Sequence, residues 1–205
     1  MIKFNLRNNL PLFSIILASA SPRRKQLLDM IDIDFEVIPS DVHEDFKIDL
    51  NHEDFVQHYA REKSLDIAEK YPDHLVIGAD TIVVLDSKIL GKPKDEADSF
   101  NMLKSLSGRT HTVYTGVSLN HINEKISDTF FEQTQVSFNE LSDSVISYYI
   151  DTYKPLDKAG SYGIQDWFAI NVNRIDGCFY NVMGFPLAAF FSHYKKYDNS
   201  IVKVS

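Results

Sequence analysis

The sequence predicts an α/β protein with a mixed β-sheet flanked by helices. Three observations carry this expectation. Short apolar runs alternate with longer amphipathic segments along the chain, the pattern of strands and helices layered on one another. Hydrophobic residues make up 44% and charged residues 24% of 205 residues, the balance of an ordinary folded protein. No internal repeat or low-complexity block interrupts the alternation. At roughly 150 residues per domain, the chain is expected to form a single domain over 1–205.

Taken in order, Ser14-Ile15-Ile16-Leu17-Ala18 reads as a buried strand. Ser21-Pro22 then offers an N-cap and a proline at the first helical position, opening a helix to about Met30. Phe35 to Pro39 is a short strand, and Ser40 to Asn51, with Asp41, Glu44, Asp45 and Asp49, an acidic loop. Glu53 to Tyr71 places Phe55, Val56, Tyr59, Ala60, Ile67 and Ala68 at helical spacing. Leu75–Ile77 and Thr81–Leu85 read as two strands separated by Gly78-Ala79-Asp80, and Asp86-Ser87-Lys88 turns the chain into a return strand, Ile89-Leu90. A helix from Lys94 to Leu106 stops at Ser107-Gly108. Thr112–Leu119 and Ile126–Phe138 suit antiparallel strands joined through Asn120 to Lys125. Ser142 to Asp151 is a helix, Ala169 to Ile175 a strand before the turn Asp176-Gly177, and Pro186 opens a C-terminal helix.

Twenty-one basic and 29 acidic residues give a net charge of −8, which argues against a duplex-binding protein with its basic face. The single Cys178 has no internal disulfide partner and points to a reducing compartment. Within an apolar stretch it is expected to be a buried thiol. No apolar run approaches the roughly 18 residues of a membrane span, and the N-terminus lacks the pattern of a signal peptide. A cytoplasmic protein without nucleic-acid or membrane partners is expected. The seven histidines show no His-x-x-x-His spacing, so no zinc site is predicted.

Four places depart from what local structure alone would choose. Arg23 and Arg24 follow Ser19-Ala20-Ser21-Pro22, which puts two cations at the positive end of a helix macrodipole. With the free N–H groups there they could hold a multiply charged anion; two solvated arginines are the alternative. Asp80 follows an apolar strand, where a carboxylate must be paired or reach a cleft. It is a candidate general base or metal ligand, the alternative being a turn aspartate. Lys63 shares a helix face with Tyr59 and Ile67, while Lys92 in Gly91-Lys92-Pro93 and Lys158 in Asp157-Lys158-Ala159-Gly160 stand in directed turns. Each could equally be a solvated charge. Gln165, in Ser161-Tyr162-Gly163-Ile164-Gln165, carries an amide that donates and accepts at once, as the edge of a pyrimidine with a ring N–H beside a carbonyl requires.

In this order the segments resemble the Maf family of nucleoside triphosphate pyrophosphatases. The motifs are Leu17-Ala18-Ser19-Ala20-Ser21-Pro22-Arg23-Arg24, Ala60-Arg61-Glu62-Lys63, Gly78-Ala79-Asp80-Thr81, Gly91-Lys92-Pro93, Leu106-Ser107-Gly108-Arg109-Thr110-His111, Asp157 to Gln165, and Asn181-Val182-Met183-Gly184-Phe185-Pro186-Leu187. They span about residues 14–192, after an N-terminal extension over 1–13. The resemblance implies an elongated sheet with a cleft between two lobes, as in inosine-triphosphate pyrophosphatases. It also implies hydrolysis of a triphosphate to monophosphate and diphosphate with a divalent cation, Mg²⁺ or Mn²⁺. Asp80 would be the base, Glu44 and Asp80 the metal ligands. Ser19, Ser21, Arg23, Arg24, Lys63, Thr81, Lys92, Lys158 and Gln165 would bind substrate, with Arg23, Thr81 and Gln165 associated with substrate choice. The Tyr162-Gly163-Ile164-Gln165 form is similar to the branch acting on dTTP and UTP, sometimes extending to modified pyrimidines. Where that branch usually has small residues after the glutamine, Asp166-Trp167-Phe168 stand here. The resemblance suggests a homodimer. Competing readings are a purine-type pyrophosphatase for ITP or XTP and a non-catalytic regulator of septum formation.

Overall fold

The computed structural model describes residues 13–197; the predicted extension over 1–13 lies, except for Phe13, outside them. Among these residues a seven-stranded sheet runs β2 (Glu36–Val37), β1 (Ser14–Leu17), β3 (His74–Leu85), β5 (Thr110–His121), β6 (Ile126–Phe138), β7 (Val172–Asp176), with β4 (Lys88–Leu90) paired to β3 alone. β1 is parallel to both of its neighbours, and every other pairing is antiparallel. The mixed sheet is therefore as expected. No helix among the described residues is long and apolar enough to cross a membrane.

Side chains of β3 alternate between two cores, as period-2 geometry requires. Leu75, Ile77, Ala79, Val83 and Leu85 join the main core with Leu27, Leu28, Leu103, Ile146 and Phe190. Those residues come from α1 (Pro22–Asp29), α3 (Glu96–Leu106), α4 (Asp143–Tyr153) and α6 (Leu187–Tyr194). On the opposite face Val76, Ile82 and Val84 pack against Phe55, Val56, Tyr59, Ile67 and Ala68 of α2 (His52–Ala68). Ser21 caps α1 as the sequence predicts, and Asn51, Asp95 and Ser142 do the same for α2, α3 and α4, each side chain accepting a first-turn backbone N–H.

Three elements differ from expectation. Gly78-Ala79-Asp80 does not divide two strands, because β3 runs unbroken through twelve residues. Gly78 is needed for close approach rather than for a turn: a Cβ there would lie 2.2 Å from the Ala60 carbonyl oxygen of α2. The strand expected from Ala169 begins only at Val172, after a 3₁₀ turn over Trp167–Asn171. Asp166 caps that turn by accepting the Phe168 N–H at 2.9 Å, and Phe168 plugs into the main core. Finally, Cys178 is half-buried rather than buried. It stands at the N-cap of the one-turn helix α5 (Phe179–Val182), just beyond the edge strand β7, with its backbone tied to Thr134 Oγ1.

The pairing of β3 leaves part of one of its edges open. β5 occupies one edge of β3 from Val76 to Val84. The other edge is covered by β1 at residues 74–77 and by β4 at 83–85. Residues 78–82 are left with a free edge, at the point where strand direction switches. Such gaps are where α/β sheets place ligands, and side chains from both faces of the sheet can reach this one.

Candidate active site

A cleft of about 350 Å³ opens at the gap. Ser19, Ser21, Arg23, Arg24, Glu44, Lys63, Thr81, Lys92, Lys158 and Gln165 all line it, and Asp80 is tied to that lining through Lys63. The structure thus brings together every site residue expected from sequence. Ser40, Tyr162, Asp157 and Gly184 also line the cleft.

Asp80 points to the α2 face of β3, and two glycines allow the helix to meet it. Gly116 is its cross-strand partner, and a Cβ there would lie 2.2 Å from the Val56 carbonyl oxygen, as one on Gly78 would from Ala60. With the helix this close, Lys63 Nζ donates to Asp80 Oδ1 at 2.7 Å and to Glu44 Oε1 at 2.5 Å. Glu44 reaches in from the acidic loop. Tyr59 holds that loop, its hydroxyl accepting the Asp45 N–H at 2.6 Å, and Ser40 ties it to Asp66 at 2.8 Å.

Asp80 is only 4% exposed, and its Oδ2 is buried without a hydrogen-bond partner. Burial raises its carboxyl above the usual aspartate range; the Lys63 and Arg24 charges pull against this, while Glu44 adds to it. For Glu44 burial also pushes upward, but the charge and hydrogen bond of Lys63 outweigh it and hold the carboxyl below its ordinary value. Two adjacent carboxylates are thereby driven apart, one towards a base and one kept ionised.

The α1 corner is built differently from the free anion site that the sequence suggests. Arg24 turns away from the helix dipole into protein acceptors: Gly184 O at 3.0 Å, Ala79 O at 2.9 Å, Ser19 Oγ at 3.1 Å and Thr81 Oγ1 at 3.0 Å. Ala79 O lies on the free edge of β3, so the guanidinium takes the place of a missing strand. Burial lowers the pKa of this group, with Asp80 offsetting part of the loss. Arg24 is a brace; the available cation is Arg23, which spans the cleft to Asp157 Oδ2 at 2.6 Å. Lys158 Nζ meets the other oxygen of the same carboxylate at 2.7 Å, and the two cations hold the Asp157 carboxyl down against its partial burial. Asp157 was overlooked from sequence, although its position directly before Lys158 was a usable signal.

Hydroxyl directions follow from the donors around them. Ser19 Oγ accepts from the Ser21 N–H and from Arg24, and Ser21 Oγ from the Arg24 N–H, so both hydroxyl protons can point into the cleft. Thr81 is committed inward. It accepts from Arg24 and shares a 3.0 Å bond with Thr115, whose own proton goes to Asn181 O at 3.2 Å. Lys92 is exposed in the cleft and makes no ion pair among the described residues.

Five cations and three carboxylates, Glu44, Asp80 and Asp157, meet here, so the site is positive within a chain of net charge −8. Among the described residues no group of three or more His, Cys, Asp or Glu could hold a metal by itself. The fit to a hard divalent cation is nevertheless good: two carboxylates, one with an orphaned oxygen, suit an ion that keeps several waters and completes its shell with phosphate oxygens. Of residues 165–168 only Gln165 lines the cleft. Asp166 caps a turn, Trp167 packs edge-on against Tyr148 at 5.0 Å and Phe168 is buried in the core, so the three larger residues do not narrow it.

Residues 14–197 match the family model described as Maf-like protein. A Bacillus cytotoxicus protein named dTTP/UTP pyrophosphatase is 48% identical over 184 residues, covering 90% of this chain and 95% of its own. An Acetivibrio thermocellus protein of the same name is 45% identical over 196 residues, 92% and 98% of the two chains. Among solved structures, the Staphylococcus aureus Ham1 protein overlaps 61% of this chain and 71% of its own at 16% identity and a TM-score of 0.45. With most of its motifs gathered around one cleft and its sequence matched from end to end of the described fold, the chain belongs to the Maf family.

Proposed function

We propose that this protein is a pyrophosphatase that hydrolyses dTTP and UTP at the α–β anhydride, releasing the nucleoside monophosphate and pyrophosphate. The observation that carries the reading is Asp80: a buried carboxylate with one oxygen on Lys63 and the other unpartnered, beside a cleft with a surplus of cations. Relatives 45–48% identical and named dTTP/UTP pyrophosphatase support it.

The anhydride is shielded by like charge, so attack requires neutralisation and a positioned base. Arg23, Lys92 and Lys158 take up phosphate charge, and the Ser19 and Ser21 hydroxyls donate to phosphate oxygens. A divalent cation held by Glu44, with Asp80 as the second carboxylate beside it, would neutralise further charge and acidify the water that Asp80 deprotonates. Asp80 Oδ2 accepts the proton of the attacking water as the new P–O bond forms and the bridging P–O bond breaks. Its raised pKa suits this task, since a base works best when its pKa lies near the operating pH. Lys63 fixes the carboxylate and keeps it ionised despite burial. The pyrophosphate leaves as an anion on the same cations. Gln165 presents its amide to the pyrimidine edge, which favours this reading over a purine triphosphate.

The test is release of pyrophosphate from dTTP and UTP by the purified protein with Mg²⁺ or Mn²⁺, and its loss on chelation. Undiminished turnover in excess chelator would exclude the two-carboxylate metal site.

A further inference from the structure

The turn that carries Gln165 is held from outside the cleft. Tyr149, on α4, is fully buried, and its hydroxyl closes the turn at both ends. It accepts the Gly163 N–H at 3.0 Å and donates to Asp166 Oδ2 at 3.0 Å. Asp166 Oδ1 accepts the Phe168 N–H at 2.9 Å, so its carboxylate is engaged through both oxygens. The fit against Gly163 is tight: a Cβ there would lie 2.4 Å from Asp166 Oδ2. Ile164 is 3% exposed and anchors the turn in the core, and Trp167 packs edge-on against Tyr148 and stacks on Tyr153 along α4. Gln165 itself is exposed and makes no hydrogen bond among the described residues. The backbone on either side of it therefore fixes where the side chain leaves the chain and which part of the cleft its amide can reach.

We propose that Tyr149 and Asp166 are positioning residues for base recognition, a clasp that fixes residues 163–166 and thereby aims the Gln165 amide at the nucleobase. The inference rests on the reading that Gln165 contacts the base. Burial and the neighbouring Asp166 charge push the Tyr149 hydroxyl above its ordinary pKa, which keeps it a neutral donor to the carboxylate. No hydrogen bond joins the clasp to Asp80 or to the cations, although the Lys158 stem packs beside Gly163, so releasing it weakens base binding more than phosphate binding.

The experiment compares steady-state kinetics on dTTP with inhibition by inorganic pyrophosphate, a probe that has no base. Tyr149→Phe removes the hydroxyl and Asp166→Ala its partner. For a contact used equally in ground and transition states KM rises and kcat holds. A lost hydrogen bond of ordinary strength corresponds to roughly a tenfold rise in KM, with kcat within about twofold and the pyrophosphate Ki unchanged. Asp166→Asn retains an oxygen that can accept from Tyr149 and should stay closer to the parent than Asp166→Ala. Gln165→Ala should raise KM at least as far, and adding Tyr149→Phe to it should change nothing more, because the clasp acts through that side chain. A pyrophosphate Ki that rises with KM would overturn the proposal, since the clasp would then support the site as a whole. If Gln165→Ala raises KM and neither clasp variant does, the clasp alone is refuted; if Gln165→Ala leaves KM unmoved, the base-reading role falls and the proposal with it. Should Tyr149→Phe fail to fold, Asp166→Ala, at a half-buried turn position, decides the matter.

Discussion

His111 makes the fold sensitive to acid in a way that can be isolated from the other titrating groups. It is 2% exposed, edge-on to Phe138 and Tyr162, with Nε2 2.8 Å from the Tyr162 hydroxyl. Its Nδ1 is buried without a partner. Protonation would place a charge in an apolar pocket with one polar neighbour, and burial lowers the pKa from 6.5 to about 4. The folded protein thus prefers neutral histidine, whereas the unfolded chain binds the proton near pH 6.5. Stability from this group is present in full above pH 6.5 and is lost as pH falls from 6.5 to about 4. At ~1.36 kcal/mol per pKa unit, the loss amounts to about 3 kcal/mol, a large share of an ordinary domain's stability. His111→Gln retains an amide that can reach Tyr162 and does not titrate. Urea denaturation of both proteins between pH 7.5 and pH 4 cancels what they share. The stability of the parent relative to the variant should fall by about 3 kcal/mol across that interval, mostly between pH 6.5 and pH 4.5. A difference that stays flat within about 0.5 kcal/mol would refute the reasoning. Because Tyr162 lines the cleft, acid should loosen the nucleotide's wall as well as the core.

Asp80→Asn keeps shape while removing the base, so kcat on dTTP should fall by roughly 10²–10⁴ with an unchanged circular dichroism spectrum; activity within a few-fold of the parent would make Asp80 merely structural. Arg23→Ala should reduce kcat/KM for every triphosphate by roughly 10–100-fold, the worth of a contact to a charged group. Gln165→Glu should instead cut dTTP and UTP turnover more than that of 7-methyl-GTP, because a carboxylate accepts from a guanine edge but cannot donate to a pyrimidine carbonyl; equal losses for all three would remove the base-reading role. Gly78→Ala drives a Cβ against the backbone of α2 and should destabilise by at least 1–3 kcal/mol while displacing Lys63. A parental melting temperature for that variant would contradict the close-approach account.

Much of this was legible in the sequence, for identifiable reasons. Ser21-Pro22, Ser142 and the alternation along Thr112–Leu119 are local signals, and the structure uses them locally. Gly78 was misread because a glycine in a strand has the same letter whether it bends the chain or admits a neighbour. Only the packing of α2, whose Ala60 and Ser64 lie 18 and 14 positions earlier, distinguishes the two. Arg24 illustrates the same limit: its charge was visible, but its four acceptors come from β1's exit, β3 and the loop at Gly184, and no local pattern encodes them. Asp166-Trp167-Phe168 stand where the similar branch usually has small residues. Each side chain has a destination away from the cleft: a cap, a stack on Tyr153 of α4 and the core. Arg23, Arg24 and Asp80 stand out because each breaks a local rule, whereas Ser19, Ser21, Glu44 and Thr81 come only from the resemblance; the gap at residues 78–82 of β3 explains why they gather there.

The most direct test is a substrate panel with products identified. Purified protein is incubated with Mg²⁺ or Mn²⁺ and, separately, with dTTP, UTP, dCTP, GTP, 7-methyl-GTP, dITP and XTP, and the nucleotide and phosphate products are resolved by chromatography. The account predicts dTMP and UMP with equimolar pyrophosphate, and kcat/KM for dTTP and UTP above that for the purines. Nucleoside diphosphate with orthophosphate as the products, or faster turnover of dITP, XTP or 7-methyl-GTP, would contradict it.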